Sequence, residues 1–101
     1  MNLVPRALRN ARDEGWLVIE WDRPHVLSHA QLRQACPCSQ CRAARLRGRA
    51  AVVPGGVRLE RLELQGYGVQ MIFSDGHDRG IYPWTYLHGL PETLDAEAGQ
   101  A

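Results

Sequence analysis

At 101 residues, 45% of them hydrophobic, the chain has room for one domain with one modest core, and none of its apolar runs is long enough to cross a bilayer. The net charge of +1 selects no class of partner, but all twelve basic residues are arginine, and Gln31 to Arg61 carries seven of them against Glu60 alone, a local +6. Aromatic residues interleaved among those arginines, which base stacking on nucleic acid needs, are missing, so the cluster reads as a solvated face or a counter-charge.

In chain order, Ala7 to Ala11 reads as a first strand, turned at Asp13-Glu14-Gly15 into Trp16 to Trp21. Leu17, Ile19 and Trp21 alternate onto one face of that second strand. Asp22-Arg23-Pro24-His25 is a polar turn, followed by a short strand and a helical turn from Ala30 to Ala35. Ser39 is the N-cap candidate for a short basic helix, Gln40 to Arg47, which Gly48 ends. Val53-Pro54-Gly55-Gly56 loops back into a strand from Val57 to Leu64, turned at Gln65-Gly66-Tyr67-Gly68 into Gly68 to Phe73. There Val69, Met71 and Phe73 share a face, and Ser74-Asp75-Gly76-His77 repeats the polar turn of the first arm. A short strand and a last helical turn, Pro83 to His88 with Gly89 as its cap, complete the second arm.

Two similar arms around a central segment predict an α+β, mainly β fold: one antiparallel sheet of about five or six strands, with a short knuckle helix between the arms. Residues 1–90 form the domain. The segment 91–101, acidic and poor in large apolar groups, reads as a disordered tail.

The chemistry lies in Cys36-Pro37-Cys38-Ser39-Gln40-Cys41. Three is an odd count, which a closed disulfide framework would leave unbalanced. No charged stretch followed by an apolar run opens the chain, so a signal peptide is not expected and a reducing cytoplasm is the default compartment. A thioredoxin-like role for Cys38 and Cys41 would need a strand feeding a βαβ unit, and the pattern offers none. A C-x-C-x-x-C cluster can instead bring three thiolates to one ion. Structural zinc takes four ligands from cysteine and histidine, so the fourth falls to a histidine. Cys41 lies in the first turn of the basic helix, where unpaired backbone N–H groups favour a thiolate.

Four histidines compete, at positions 25, 29, 77 and 88. His77 leads, because Asp75-Gly76 is a hairpin turn pair that would hold it at the mouth of a two-stranded ribbon. Its bond to a metal would tie the two arms together. His25 has the equivalent position in the first arm, and His29 stands near the helix leading into the cluster. His88 suits a helix C-terminus, where its charge would complement the dipole.

Cys36-Pro37-Cys38-x-x-Cys41, followed by Phe73-Ser74-Asp75-Gly76-His77-x-x-Gly80-Ile81-Tyr82-x-Trp84-x-Tyr86-Leu87, resembles the gamma-butyrobetaine hydroxylase-like N-terminal domain family. The resemblance runs from Ala7 to Leu90. It implies a zinc-binding domain over residues 1–90 that stands alone in bacteria. The same domain precedes the 2-oxoglutarate oxygenase domain of carnitine-pathway hydroxylases and ends some Mrp-type iron–sulfur carrier ATPases. The hydroxylase version holds zinc with three cysteines and a histidine, and the matching positions are Cys36, Cys38, Cys41 and His77. The chain departs from the family pattern at Arg23-Pro24, where Asp-Gly is usual, and at Gln31-Leu32-Arg33, where Trp-Leu-Arg is usual.

An enzymatic role is not expected. The two histidines and one carboxylate of a non-haem iron oxygenase do not occur in a matching pattern, and four protein ligands would leave zinc no open position for an activated water. Gly55-Gly56 lacks the Lys-Ser/Thr of a phosphate loop. The reading that follows is a non-catalytic zinc module that docks on a protein partner, of the oxygenase or iron–sulfur carrier type by family resemblance. The candidate docking face is the Arg42 to Arg49 helix beside the aromatic turn Tyr82-Pro83-Trp84, although burial of Trp84 as a core plug under the last helical turn is the preferred reading of that ring. The alternative is an accessory factor for iron or iron–sulfur clusters that uses the same cysteines.

Overall fold

A computed structural model of the chain describes residues 3–49 and 53–93. The first arm is a meander of β1 (Ala7–Ala11), β2 (Trp16–Glu20) and β3 (Pro24–Ser28). It continues into α1 (His29–Gln34) and α2 (Ser39–Leu46). The second arm is β4 (Leu59–Leu64), β5 (Gly68–Phe73), β6 (Gly80–Pro83) and α3 (Trp84–Gly89). Glycine in a left-handed conformation carries three hairpin turns, Gly15 at φ 81°, Gly66 at φ 77° and Gly76 at φ 85°.

The single sheet of five or six strands expected from the sequence is corrected to two three-stranded antiparallel sheets, in the orders β1-β2-β3 and β4-β5-β6. Each hairpin closes on its own neighbour, with Ile19 opposite Leu8 and His25 in the first sheet, and Met71 opposite Leu62 and Gly80 in the second. The arms therefore meet through side chains. Leu17, Ile19 and Trp21 from one arm and Val69, Met71 and Phe73 from the other are all buried in one core cluster with Leu27, Leu32, Leu59, Tyr82 and Leu87. Each sheet has one apolar face, and the other arm covers it.

A polar ring stitches the sheets together inside this core. The Leu59 N–H donates to Nδ1 of His29 at 2.9 Å, which leaves Nε2 as the protonated nitrogen. Nε2–H donates to Asn10 Oδ1 at 2.7 Å, and Asn10 Nδ2 donates to the Leu59 carbonyl at 2.8 Å. Burial depresses the His29 imidazole to about 4, so it is neutral at physiological pH.

Several boundaries differ from the sequence reading. β3 begins at Pro24, so His25 lies in a strand opposite Ile19 rather than at the end of a turn. The cap of α2 is Cys38, not Ser39: its Sγ accepts from the Cys41 N–H at 3.5 Å. Pro83 is the N-cap of α3 and Leu90 its C-cap. The segment 91–93 runs along β3. The Thr93 N–H donates to the Val26 carbonyl, the Ser28 N–H to Thr93 Oγ1, and the Val26 N–H to Glu92 Oε1. That contact covers an otherwise open sheet edge. The remainder of the 91–101 tail, from residue 94 onward, lies outside the described residues.

Candidate metal centre

The centre assembles where the first arm leaves α1 and the second arm turns out of β5. The Ala35 N–H still bonds to the Gln31 carbonyl and the Cys36 N–H to the Arg33 carbonyl, which holds Cys36 to the end of α1. Cys36 is fully buried, while Cys38 and Cys41 are half-buried. Pro37 limits the backbone between the first two cysteines. As its cap, Cys38 anchors α2, and Cys41 follows in the first turn. Across the junction, Gly76 takes φ 85° and its N–H bonds to the Phe73 carbonyl. The Phe73 N–H bonds to the His77 carbonyl, and Asp75 Oδ1 accepts the His77 N–H at 3.2 Å. The histidine is thus fixed by backbone bonds at the mouth of the β5–β6 hairpin.

Its Nε2 lies 3.0 Å from Sγ of Cys36 and 3.7 Å from Sγ of both Cys38 and Cys41. All four donor atoms lie within 4.8 Å of one another, so Cys36, Cys38, Cys41 and His77 form a group that could hold a metal ion. A tetrahedral ion with Zn–S near 2.3 Å and Zn–N near 2.0 Å separates nitrogen from sulfur by about 3.5 Å. The observed separations bracket that value, so the donor set fits one ion by size as well as by chemistry.

The electrostatics of the donors differ from one to the next. Burial pushes the Cys36 thiol up to about 12. Burial would also raise Cys38, but hydrogen bonds from the Cys41 N–H and the neighbouring thiols outweigh it and hold Cys38 below its ordinary value. Burial, and then the Arg33 charge, lower His77, which keeps its imidazole neutral and free to ligate.

The other histidines stand elsewhere. His25 is half-buried in β3, His29 spends both ring nitrogens in the polar ring, and exposed His88 meets Trp21 edge-on at 5.0 Å between ring centroids. The supporting residues Tyr82, Tyr86 and Gly80 stand in the family motif, but the sequence reading gave them no part in the centre. Tyr82 and Tyr86 donate to the carbonyls of Leu32 and Ala35, each at 2.6 Å, and so clamp the end of α1 from the second arm. A Cβ on Gly80 would stand 2.7 Å from Cys36 Sγ, so only glycine lets β6 lie this close to the thiol. The signal was present as a glycine at the start of a strand, where it can mark a close approach by another group.

Burial of Trp84, the preferred reading of that ring, takes the aromatic turn out of the candidate docking face. Trp84 is only 6% exposed, with Nε1–H bonded to the Gly66 carbonyl, and Tyr82 is fully buried; both rings belong to the core. What α2 presents instead is an open groove between Arg42, Arg45, Leu46, Pro37, Pro83 and Tyr86, with Leu46 82% exposed. Among the described residues, Arg42, Arg45, Arg47 and Arg49 form no ion pair with a carboxylate.

The family model described as gamma-butyrobetaine hydroxylase-like, N-terminal matches residues 8–88. A crystal structure of a DUF971-family protein of unknown function from Acidithiobacillus ferrooxidans ATCC 23270 is 31% identical, with TM-score 0.64 over 82% of this chain and 86% of its own. Two proteins solved by NMR in solution share the fold. One is 24% identical, with TM-score 0.69 over 99% of this chain and 82% of its own. The other is 25% identical, with TM-score 0.67 over 97% and 84%. None of the curated proteins compared matches the chain. No helix among the described residues is long and apolar enough to cross a membrane.

Proposed function

The chain belongs to the gamma-butyrobetaine hydroxylase-like, N-terminal family, and from that premise we propose that it is a small non-catalytic zinc module that works by docking on a protein partner in the cytoplasm. The observation that carries the reading is the convergence of Cys36, Cys38, Cys41 and His77 within 4.8 Å, from two arms that share no strand pairing. Zinc bound there supplies a crosslink between the arms, and four protein ligands leave it no position for substrate or activated water. The rest of the work falls to this chain's own residues: Cys38 and Cys41 start α2, His77 closes the centre, and the groove beside α2 meets the partner. Arginines that form no ion pair among the described residues, set around an exposed leucine, suit an acidic protein surface that carries an apolar side chain. By family resemblance, that partner is a 2-oxoglutarate oxygenase or an iron–sulfur carrier.

One observation favours a second reading. Cys38 and Cys41 are only half-buried, unlike Cys36, and an accessory factor passing on iron or an iron–sulfur cluster needs cysteines near the surface. Purification with and without air, elemental analysis and a visible spectrum separate the two. Colourless protein with one zinc per chain supports the structural module; brown protein with acid-labile sulfide supports the cluster reading.

A further inference from the structure

Arg33 and Asp75 form the most buried ion pair among the described residues, with Nε 2.9 Å from Oδ2 and side-chain exposures of 12% and 17%. Neither residue spends its whole side chain on the other. The second carboxylate oxygen of Asp75 accepts the His77 N–H at 3.2 Å, and Nη1 of Arg33 stands 3.8 Å from Cys41 Sγ. The pair therefore links a cysteine of the first arm to the histidine of the second by a path that does not pass through a metal. Arg33 also sits on α1, which runs directly into Cys36.

A planar guanidinium with several donors in a fork can serve two acceptors at once, which an ammonium cannot. Three thiolates and one imidazole around a divalent ion carry a net −1, and a half-buried negative charge is costly without a cation beside it. We infer that Arg33 and Asp75 are positioning residues that preassemble the four-donor centre, Asp75 by holding the His77 turn and Arg33 by offsetting the thiolate charge. The inference rests on the proposed reading that these donors hold a metal, and it extends that reading to how tightly the metal is kept.

The test titrates Zn2+ and Co2+ into reduced, metal-free protein against a competing chelator, and follows the thiolate-to-Co2+ charge-transfer band. Wild type is compared with Arg33→Met, Arg33→Lys and Asp75→Asn, and each metal-free protein is melted to separate loss of fold from loss of affinity. Arg33→Met is expected to weaken Zn2+ binding by about 10- to 100-fold, the usual size of an outer-ligand effect. Arg33→Lys, which keeps the charge but reaches one acceptor at a time, is expected to fall between Met and wild type. Unchanged affinity in Arg33→Met overturns the inference. Equal losses in Met and Lys overturn it too, because they would mean that a positive charge beside the thiolates does not matter. If Arg33→Met does not fold, Asp75→Asn decides in its place, since it keeps an acceptor for the His77 N–H but removes the charge that holds Arg33 beside Cys41; unchanged affinity there overturns the inference. A wild-type protein that takes up neither ion sinks the reading of the centre itself, whereas tight wild-type binding with unaffected variants sinks this inference alone.

Discussion

Nε2 of His77 stands 3.0 Å from Sγ of Cys36, although the two residues lie 41 positions apart and in arms joined by no strand pairing. A metal at this point is a crosslink, and its binding energy is folding energy for a domain of this size. Replacing His77 with Ala is therefore expected to lower both zinc content and melting temperature, measured by elemental analysis and thermal unfolding. His25→Ala is expected to retain the metal, because His25 sits in β3 outside the centre. The opposite pattern, metal lost with His25 and kept with His77, would return the fourth ligand to the first arm.

Phe73 is buried in the shared core, and its backbone N–H holds the His77 carbonyl. Truncation to Ala is expected to destabilise the protein by roughly 3–5 kcal/mol, a large part of the roughly 5–15 kcal/mol that domains possess. Urea unfolding of the metal-loaded protein measures it. A cost below roughly 1 kcal/mol would place the weight of the core elsewhere.

The His29 ring makes stability depend on acid. Its folded-state value, about 4, lies below the ordinary 6.5, so the folded protein holds fewer protons in that interval. The stability His29 preserves is fully present above pH 6.5 and is lost as pH falls toward 4, by up to roughly 3 kcal/mol. Acid also releases metals from thiolates, so the useful quantity is the difference between wild type and His29→Gln, both metal-loaded, across this interval. Parallel pH profiles for the two proteins would show that His29 is not the titrating group, and an NMR titration of the imidazole checks the same point directly.

Gly80 has no room for a side chain. A Cβ there would meet Cys36 Sγ at 2.7 Å and Tyr82 Cε1 at 3.0 Å, whereas one on Gly55 would meet nothing within 4 Å. Gly80→Ala is expected to cost about 1–3 kcal/mol and to weaken metal binding, as overpacking against a fixed neighbour does. Gly55→Ala is the control and is expected to leave both unchanged. Normal metal affinity in Gly80→Ala would mean that β6 can withdraw from the thiol at little cost.

For the docking face, Arg42 and Arg49 are the residues to reverse, because Arg45 donates to the Gln34 carbonyl and its loss would disturb the fold. With both changed to Glu, capture of a candidate oxygenase or iron–sulfur carrier is expected to weaken while zinc content and melting stay constant. Undiminished capture would move the interface away from α2. Binding to nucleic acid that falls steeply with salt would reassign the arginines to phosphate.

The local features of this chain were legible because each depends on neighbours in sequence. Alternation at Leu17 and Ile19, and again at Val69, Met71 and Phe73, marks a half-buried strand wherever that strand lies. Gly15, Gly66 and Gly76 mark turns because only glycine takes positive φ without strain. Three cysteines inside six residues can converge on one point in almost any fold, which is why the cluster was readable without a structure.

The tertiary structure decided what depends on partners far along the chain. Period-two patterning says that a strand has a buried face but not what buries it, so one sheet and two facing sheets were equivalent until the hairpins paired. Both ring nitrogens of His29 are occupied by Leu59 and Asn10, which its sequence neighbours do not reveal. Position beside a turn left Trp84 open to a partner or to the core; the core closes over it and Tyr82, and their polar atoms reach the Gly66 and Leu32 carbonyls. Geometry also distinguished the histidines: the motif drew attention to position 77, but only the packing of one arm on the other brings its Nε2 among three sulfurs. The sequence alone determined the local periods, the turns and the thiol knuckle. Long-range packing settled which surfaces and side chains meet, because burial is a property of the whole assembled chain.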